Sequence, residues 1–143
     1  MDLDSNTLVQ FDLLTPTFGA YELPTYNPSY DGVKENCFSY LMELFGKQVM
    51  DDSYGFDIVK YDSCKGKIES KWSQAGHLPN EAYFVENPEG NGEEDGVILT
   101  VAYDFVKEVS KLLVINPKTM TTLQEYLLPF TVPWSFHSGY WRK

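Results

Sequence analysis

Gly and Pro interrupt this chain too often for long helices to form between them. Ten Gly and eight Pro are spread along 143 residues. The intervals hold short runs rich in β-branched and aromatic side chains, at 7–14, 38–44, 56–61, 67–72, 82–86, 97–104, 111–116 and 122–128. Each run has the length of a strand. Only residues 33–50 have room for a helix, and the aromatic content of 37–45 favours a strand there too. The expected fold class is all-β.

An internal echo narrows that class. Ile58-Val-Lys-Tyr-Asp-Ser-Cys-Lys-Gly-Lys-Ile-Glu reads strand, turn, strand, with Asp62 opening the turn and Gly66 closing it. Val114-Ile-Asn-Pro-Lys-Thr-Met-Thr-Thr-Leu-Gln-Glu repeats the grammar, with Asn116 and Pro117 at the turn. Asp and Asn bond their own backbone two residues on, and Pro presets φ, so both turns have a mechanism. The openers stand 54 residues apart, near the spacing of some propeller blades. A sandwich with an antiparallel meander fits the same pattern. If blades are present, two or three cannot close a ring and leave unpaired edges, so a longer parent protein is expected.

Charge and cysteine content bound the function. Eleven basic against twenty-one acidic residues give a net charge of −10, which argues against nucleic acid or anionic lipid headgroups as partners. Cys37 and Cys64 form no CxxC pair and are expected as two reduced thiols in a reducing compartment. No run is long and apolar enough for a transmembrane helix, and the acidic start lacks a secretory h-region. The expectation is a soluble, cytoplasmic protein.

Few residues have the setting for chemistry. His137 lies in Pro133-Trp-Ser-Phe-His-Ser-Gly-Tyr-Trp and is expected in a tightly packed, partly buried turn. Such an imidazole needs partners on both nitrogens: a metal backed by a carboxylate, or a backbone carbonyl. His77, in a Gly/Pro-bounded loop, is expected to be exposed. Glu22 and Glu81 sit in apolar, aromatic strands, where an inward-facing acid is costly unless partnered and an outward-facing one is ordinary. Residues 86–96 are the most acidic stretch and do not fit an EF-hand; a solvated connecting loop is expected. Phosphate-binding glycine motifs and a nucleophile elbow are absent from the sequence.

Taken in order, Tyr21-Glu-Leu-Pro-Thr-Tyr-Asn, Phe84-Val, Glu93-Glu-Asp-Gly-Val-Ile-Leu-Thr-Val, Leu112-Leu-Val-Ile-Asn-Pro-Lys-Thr-Met and Val132-Pro-Trp-Ser-Phe-His-Ser-Gly resemble the C-terminal end of the carotenoid cleavage oxygenases, in particular the animal branch that includes a retinoid isomerohydrolase. The resemblance covers most of residues 1–143 and is weak over 1–20. It implies the last blades, about three, of a seven-bladed β-propeller with a non-haem Fe(II) on its axis. By resemblance, His137 matches the last of four iron-ligand histidines. Glu22 and Glu81 match two of the glutamates that orient such histidines. The implied partners are a carotenoid or retinoid and O₂, with a possible peripheral membrane contact that the charge would make apolar rather than polybasic. The chemistry implied is oxidative cleavage of a conjugated double bond to carbonyl products. Ser138 stands where the family usually has Gly, and Ala82 where Pro is common. The three other ligand histidines lie upstream in the family, so the chain by itself is expected to be inactive. The alternative is a non-catalytic β-repeat interaction module, or a truncated product without metal.

Overall fold

The computed structural model describes residues 20–47, 54–135 and 137–140; the strand expected over 7–14 lies outside them. Nine strands follow in order: β1 Ala20–Thr25, β2 Phe38–Lys47, β3 Tyr54–Asp62, β4 Lys67–Trp72, β5 His77–Pro79, β6 Tyr83–Glu86, β7 Gly96–Asp104, β8 Val109–Asn116 and β9 Thr121–Leu127. A single 3-10 turn at Pro28–Tyr30, capped by the Asn27 side chain, is the only helical element among the described residues. The strands form two antiparallel meander sheets. The first has the order β1-β2-β3-β4; the second has β7-β8-β9, with β5 and β6 sharing the free edge of β7. Two sheets, rather than three, are the blades that the described residues contain.

The echo at 54 residues joins equivalent hairpins, β3–β4 and β8–β9. Asp62 Oδ1 accepts from Lys65 N at 2.9 Å, and Asn116 Oδ1 accepts from Lys118 N at 2.8 Å. Four residues after each opener the chain turns left-handed, at Gly66 (φ 65°) and Met120 (φ 53°). The β7–β8 turn obeys the same rule: Asp104 Oδ1 accepts from Val106 N and Lys107 N, both at 3.0 Å, and Glu108 has φ 55°. Gly adopts that conformation without steric cost, whereas Met and Glu do not. At Met120 the strain is offset by a side chain buried in the core.

One core holds the sheets face to face. Tyr40, Ile58 and Trp72 of the first meet Phe84, Ile98, Ala102, Leu113, Ile115 and Met120 of the second, with Ala82 beside them. The alternation along β7, burying Ile98, Thr100, Ala102 and Asp104, is the signature of a strand with one face on that core. The Tyr40 and Phe84 rings stack at 5.7 Å, and Trp72 Nε1 donates to Thr122 Oγ1 at 2.9 Å across the sheets. Lys60 is 3% exposed, lies 4.2 Å from the centre of the Phe38 ring, and pairs with Glu69 at 3.0 Å and with Glu94. Burial alone would lower its pKa; the hydrogen bonds it donates to the two carboxylates outweigh that and raise it.

Two expectations are corrected here. The 86–96 segment is a docking loop as much as a solvated connection. Glu93 Oε1 accepts from Cys37 N at 2.7 Å and also from Phe38 N, the Glu93 carbonyl accepts from Asn27 Nδ2 at 3.1 Å, and Glu94 pairs with Lys60. Its acidity serves backbone donors and a buried ammonium on the first sheet. The cysteines, expected as reduced thiols, are joined as a Cys37–Cys64 disulfide with Cα atoms 5.1 Å apart. The pairing of Phe38 with Asp62 brings the flanking residues together, a proximity that a sequence separation of 27 does not reveal.

Gly96, where the loop enters β7, has no room for a side chain: a Cβ there would lie 2.4 Å from the Val85 carbonyl oxygen and 2.7 Å from the Phe84 ring. Gly96→Ala is expected to destabilise the chain by about 1–3 kcal/mol, the usual cost of overpacking. A urea midpoint unchanged from that of the parent chain would refute the close approach.

Candidate metal centre

Glu22 lies on β1, the first strand of its sheet. Glu22 pairs with Met42 and Thr25 with Tyr40, so β1 carries an extra residue between them, and Leu23 takes φ 55° there. A bulge of this kind bends the strand and re-aims its side chains. Pro24 follows, unable to donate to the ladder. The Glu22 side chain is exposed, while its neighbour Tyr21 donates from its hydroxyl to Glu43 Oε1 at 3.0 Å.

Glu81 occupies the matching irregularity on the second sheet. β5 ends at Pro79, Asn80 N still donates to Val101 O at 2.8 Å, and pairing resumes only at Tyr83. Thr100 Oγ1 donates to the Asn80 carbonyl at 2.8 Å and fixes the gap. The Glu81 side chain is 18% exposed, and its Oε2 accepts from Ser138 N. The two edges are neighbours, since Phe84 N donates to Thr25 Oγ1 at 3.0 Å.

The segment carrying His137 runs along the second edge. Trp134 Nε1 donates to Pro79 O at 3.2 Å, Ser135 N to Asn80 Oδ1 at 3.3 Å, and Ser138 Oγ to Glu81 O at 3.3 Å. The backbone is thus held on both sides of His137, while the imidazole itself is 83% exposed and its Nδ1 stands 3.9 Å from Glu81 Oε2. That is the range of an ion pair, beyond a hydrogen bond. The expectation of a partly buried histidine is corrected: the segment is packed and the ring is not. Glu81 and His137 share a cleft of about 560 Å³ whose apolar wall includes Leu99, Val101 and Leu112.

His77, expected to be exposed, has a side chain only 6% accessible. Its Nε2 lies 3.4 Å from Asp104 Oδ2 and 3.3 Å from Lys111 Nζ, and its Nδ1 lies 3.1 Å from the Ala75 carbonyl. Lys111 also pairs with Asp104 at 3.0 Å and Glu125 at 3.2 Å. Burial would raise the Asp104 pKa, but the Lys111 hydrogen bond, the Lys107 N–H and the charges of His77 and Lys111 lower it to about 2. This is a charge cluster whose members satisfy one another. Asn80 and Thr100, which set the geometry of the site, were not singled out from sequence, and Ser138 was noted only as standing where the family usually has Gly.

Antiparallel meander sheets stacked face to face are the architecture of part of a β-propeller. The profile of the family described as RPE65, retinal pigment epithelial membrane protein, matches residues 2–142. The chain belongs to this family, that of the carotenoid oxygenases. It is similar to a carotenoid dioxygenase of Neurospora crassa, 31% identical over 125 residues that cover 87% of this chain and 20% of that protein. It is also similar to the beta,beta-carotene 15,15'-dioxygenase of Mus musculus, 32% identical over 103 residues, 71% of this chain and 17% of that one. Cobalt-substituted Synechocystis ACO superposes with a TM-score of 0.72 at 20% identity, over 86% of this chain and 26% of its own. An ACO/RPE65 chimera in a trigonal crystal form gives 0.78 at 22% identity, over 96% and 28%. These two likenesses support the fold. The chain spans about a fifth of the length of the curated relatives it matches.

The charge cluster yields a pH dependence. The Asp104 pKa is about 2 in the folded chain, against about 3.9 when unfolded. A depressed carboxylate adds stability that is complete above the unfolded value and is lost as pH falls through the folded one. The melting temperature should therefore drop between about pH 4 and pH 2 partly on account of Asp104. Asp104→Asn, which keeps an oxygen for Val106 N and Lys107 N, should lower stability at pH 7 and flatten that part of the curve. An unaltered acid limb would show that Asp104 is not the titrating group.

Proposed function

We propose that this chain is the C-terminal part of a non-haem Fe(II) carotenoid oxygenase, which uses O₂ to cleave a conjugated double bond of a carotenoid or apocarotenoid and releases carbonyl products. The observation that carries the reading is the His137 ring, open to its surroundings on a backbone tied to the edge that holds Glu81. The names of the relatives, carotenoid dioxygenase and torulene dioxygenase among them, support the substrate class.

The residues present fit one quarter of a four-histidine site. His137 offers a ring with no hydrogen bond from another described residue, and a neutral imidazole nitrogen is the ligand type that iron takes. One imidazole does not hold Fe(II) against water, so the rest of the longer protein supplies the other ligands. Bound iron would supply the O₂ chemistry that splits the double bond. This chain's own task is positioning. Glu81 holds the backbone at Ser138 with one oxygen, and its second oxygen is available to accept from the N–H of a ligand imidazole, which fixes the tautomer and raises its basicity. Glu22, at the corresponding place on the neighbouring edge, would serve another ligand in the same way. The Leu99, Val101 and Leu112 wall keeps water from one side of the site. A cytoplasmic location belongs to the same proposal.

In the full-length protein, His137→Ala should abolish iron retention and polyene cleavage while leaving the fold intact, because the ring is 83% exposed. Metal analysis and detection of carbonyl products test this together, and a mutant with full activity would overturn the assignment. Glu81→Gln should weaken iron binding roughly 10–100-fold. An unchanged affinity would leave Glu81 with its Ser138 bond alone and favour a non-catalytic module.

A further inference from the structure

Away from the Glu81–His137 edge, a group of three metal-capable side chains converges among the described residues. The donor atoms of Cys37, Asp62 and Cys64 all lie within 4.8 Å of one another. We propose that this is a redox-gated metal site: when a dithiol or phosphine reductant opens the Cys37–Cys64 disulfide, the two thiolates and the Asp62 carboxylate bind a Zn(II)-class cation in its place.

The backbone gathers these donors without help from the disulfide. Cys37 immediately precedes β2, Asp62 ends β3, and Cys64 lies in the turn that follows. Phe38 pairs with Asp62, Ser63 N donates to Cys37 O at 2.7 Å, and Ser63 Oγ adds a bond to the same carbonyl at 3.0 Å. Reduction leaves these bonds in place. Zinc–sulfur bonds of about 2.3 Å in a tetrahedral site separate two thiolates by about 3.8 Å, a modest spreading for side chains on Cα atoms 5.1 Å apart.

The third donor already faces a cation. The Asp62 side chain is 2% exposed, and its Oδ2 lies 2.7 Å from Lys65 Nζ. Burial works against its charge, yet the Lys65 ammonium and the N–H groups of Lys65 and Cys64 hold its pKa below the usual carboxylate range. The Lys65 side chain is 56% exposed and loses little by swinging into water, where Glu69, 3.0 Å away, remains a partner. A dication then takes the ammonium's place against Asp62. Cys64 is exposed, which leaves room for a water as fourth ligand.

The exchange balances. Two electrons from the reductant convert the disulfide to two thiols, and the reductant is oxidised to a disulfide or a phosphine oxide. The two protons come from the dithiol or, for a phosphine, from the water that becomes its oxide oxygen. Metal binding then releases those two protons, so affinity rises with pH. In either state the clip ties the β3–β4 turn to the connector whose Cys37 and Phe38 N–H groups hold Glu93 of the second sheet. Metal would thus preserve the junction of the sheets where the disulfide is reduced.

Co(II) titration of the 143-residue chain tests the proposal. After phosphine reduction and removal of the phosphine, about one equivalent should give the near-ultraviolet thiolate-to-cobalt absorption, and Zn(II) should displace it. The oxidised chain should give none. Cys64→Ser should abolish the signal, and Asp62→Asn, which retains a bond to the turn, should weaken cobalt binding at least about 10-fold. Three results would overturn the site: a reduced chain with two titratable thiols and native circular dichroism but no cobalt band, equal affinity in Asp62→Asn, or a signal lost with His137→Ala and kept with Cys64→Ser. None of these depends on iron or polyene activity, so the oxygenase reading stands or falls separately.

Discussion

The stacking of Tyr40 against Phe84 lies at the centre of the contact that makes the two meanders one body. A four-stranded sheet buries one face at a time, and here each sheet supplies the other's cover. That contact sets the level at which β1 and β6 meet, and with it the Thr25–Phe84 bond that places the first-strand edges side by side. Around its rim, Glu93 caps the backbone ahead of β2 and Glu94 meets the buried Lys60. These polar contacts fix register more than they add stability, since a buried ion pair returns little beyond its desolvation cost.

On the proposed function, chemistry gathers where the ladder fails. A regular edge strand aims every second side chain at the core and the others away from it, which leaves an acid either buried at a cost or idle in solvent. The bulge after Glu22 and the gap around Glu81 break that alternation, each beside a proline that cannot donate to the ladder. The gap also frees the Asn80 side chain and the Glu81 carboxylate to receive the backbone of the His137 segment. Ser138 contributes both its N–H and its hydroxyl there, so a position expected to carry glycine adds a tether.

Strand positions were legible because punctuation and periodicity are local. The runs at 38–44, 56–61, 67–72, 82–86, 97–104, 111–116 and 122–128 all fall on strands, and the Asx-opened turns repeat as their side-chain bonds require. The short strand His77–Pro79 carries too few residues for any pattern. What escaped the sequence was pairing at long range. The partners of His77 lie on the strands β7 and β8, Cys64 meets Cys37 across a sheet, and Glu93 reaches back to the start of β2. Glu81 and His137 were brought forward by resemblance to a family; their adjacency, across 56 residues, is a product of the fold.

Satisfaction by partners separates scaffold from site in this chain. Asp57, Asp104, Glu93 and Glu94 each meet an ammonium or backbone N–H groups within the two sheets, and each is explained by what it holds together. Glu22 is exposed, Glu81 spends one oxygen on a neighbouring backbone, and His137 presents an open ring. Buried polar groups are retained because their partners are close at hand. On the proposed function, these side chains, held at the edges of successive sheets, are organised for partners outside the two sheets. The axis of a propeller is the place where such edges converge.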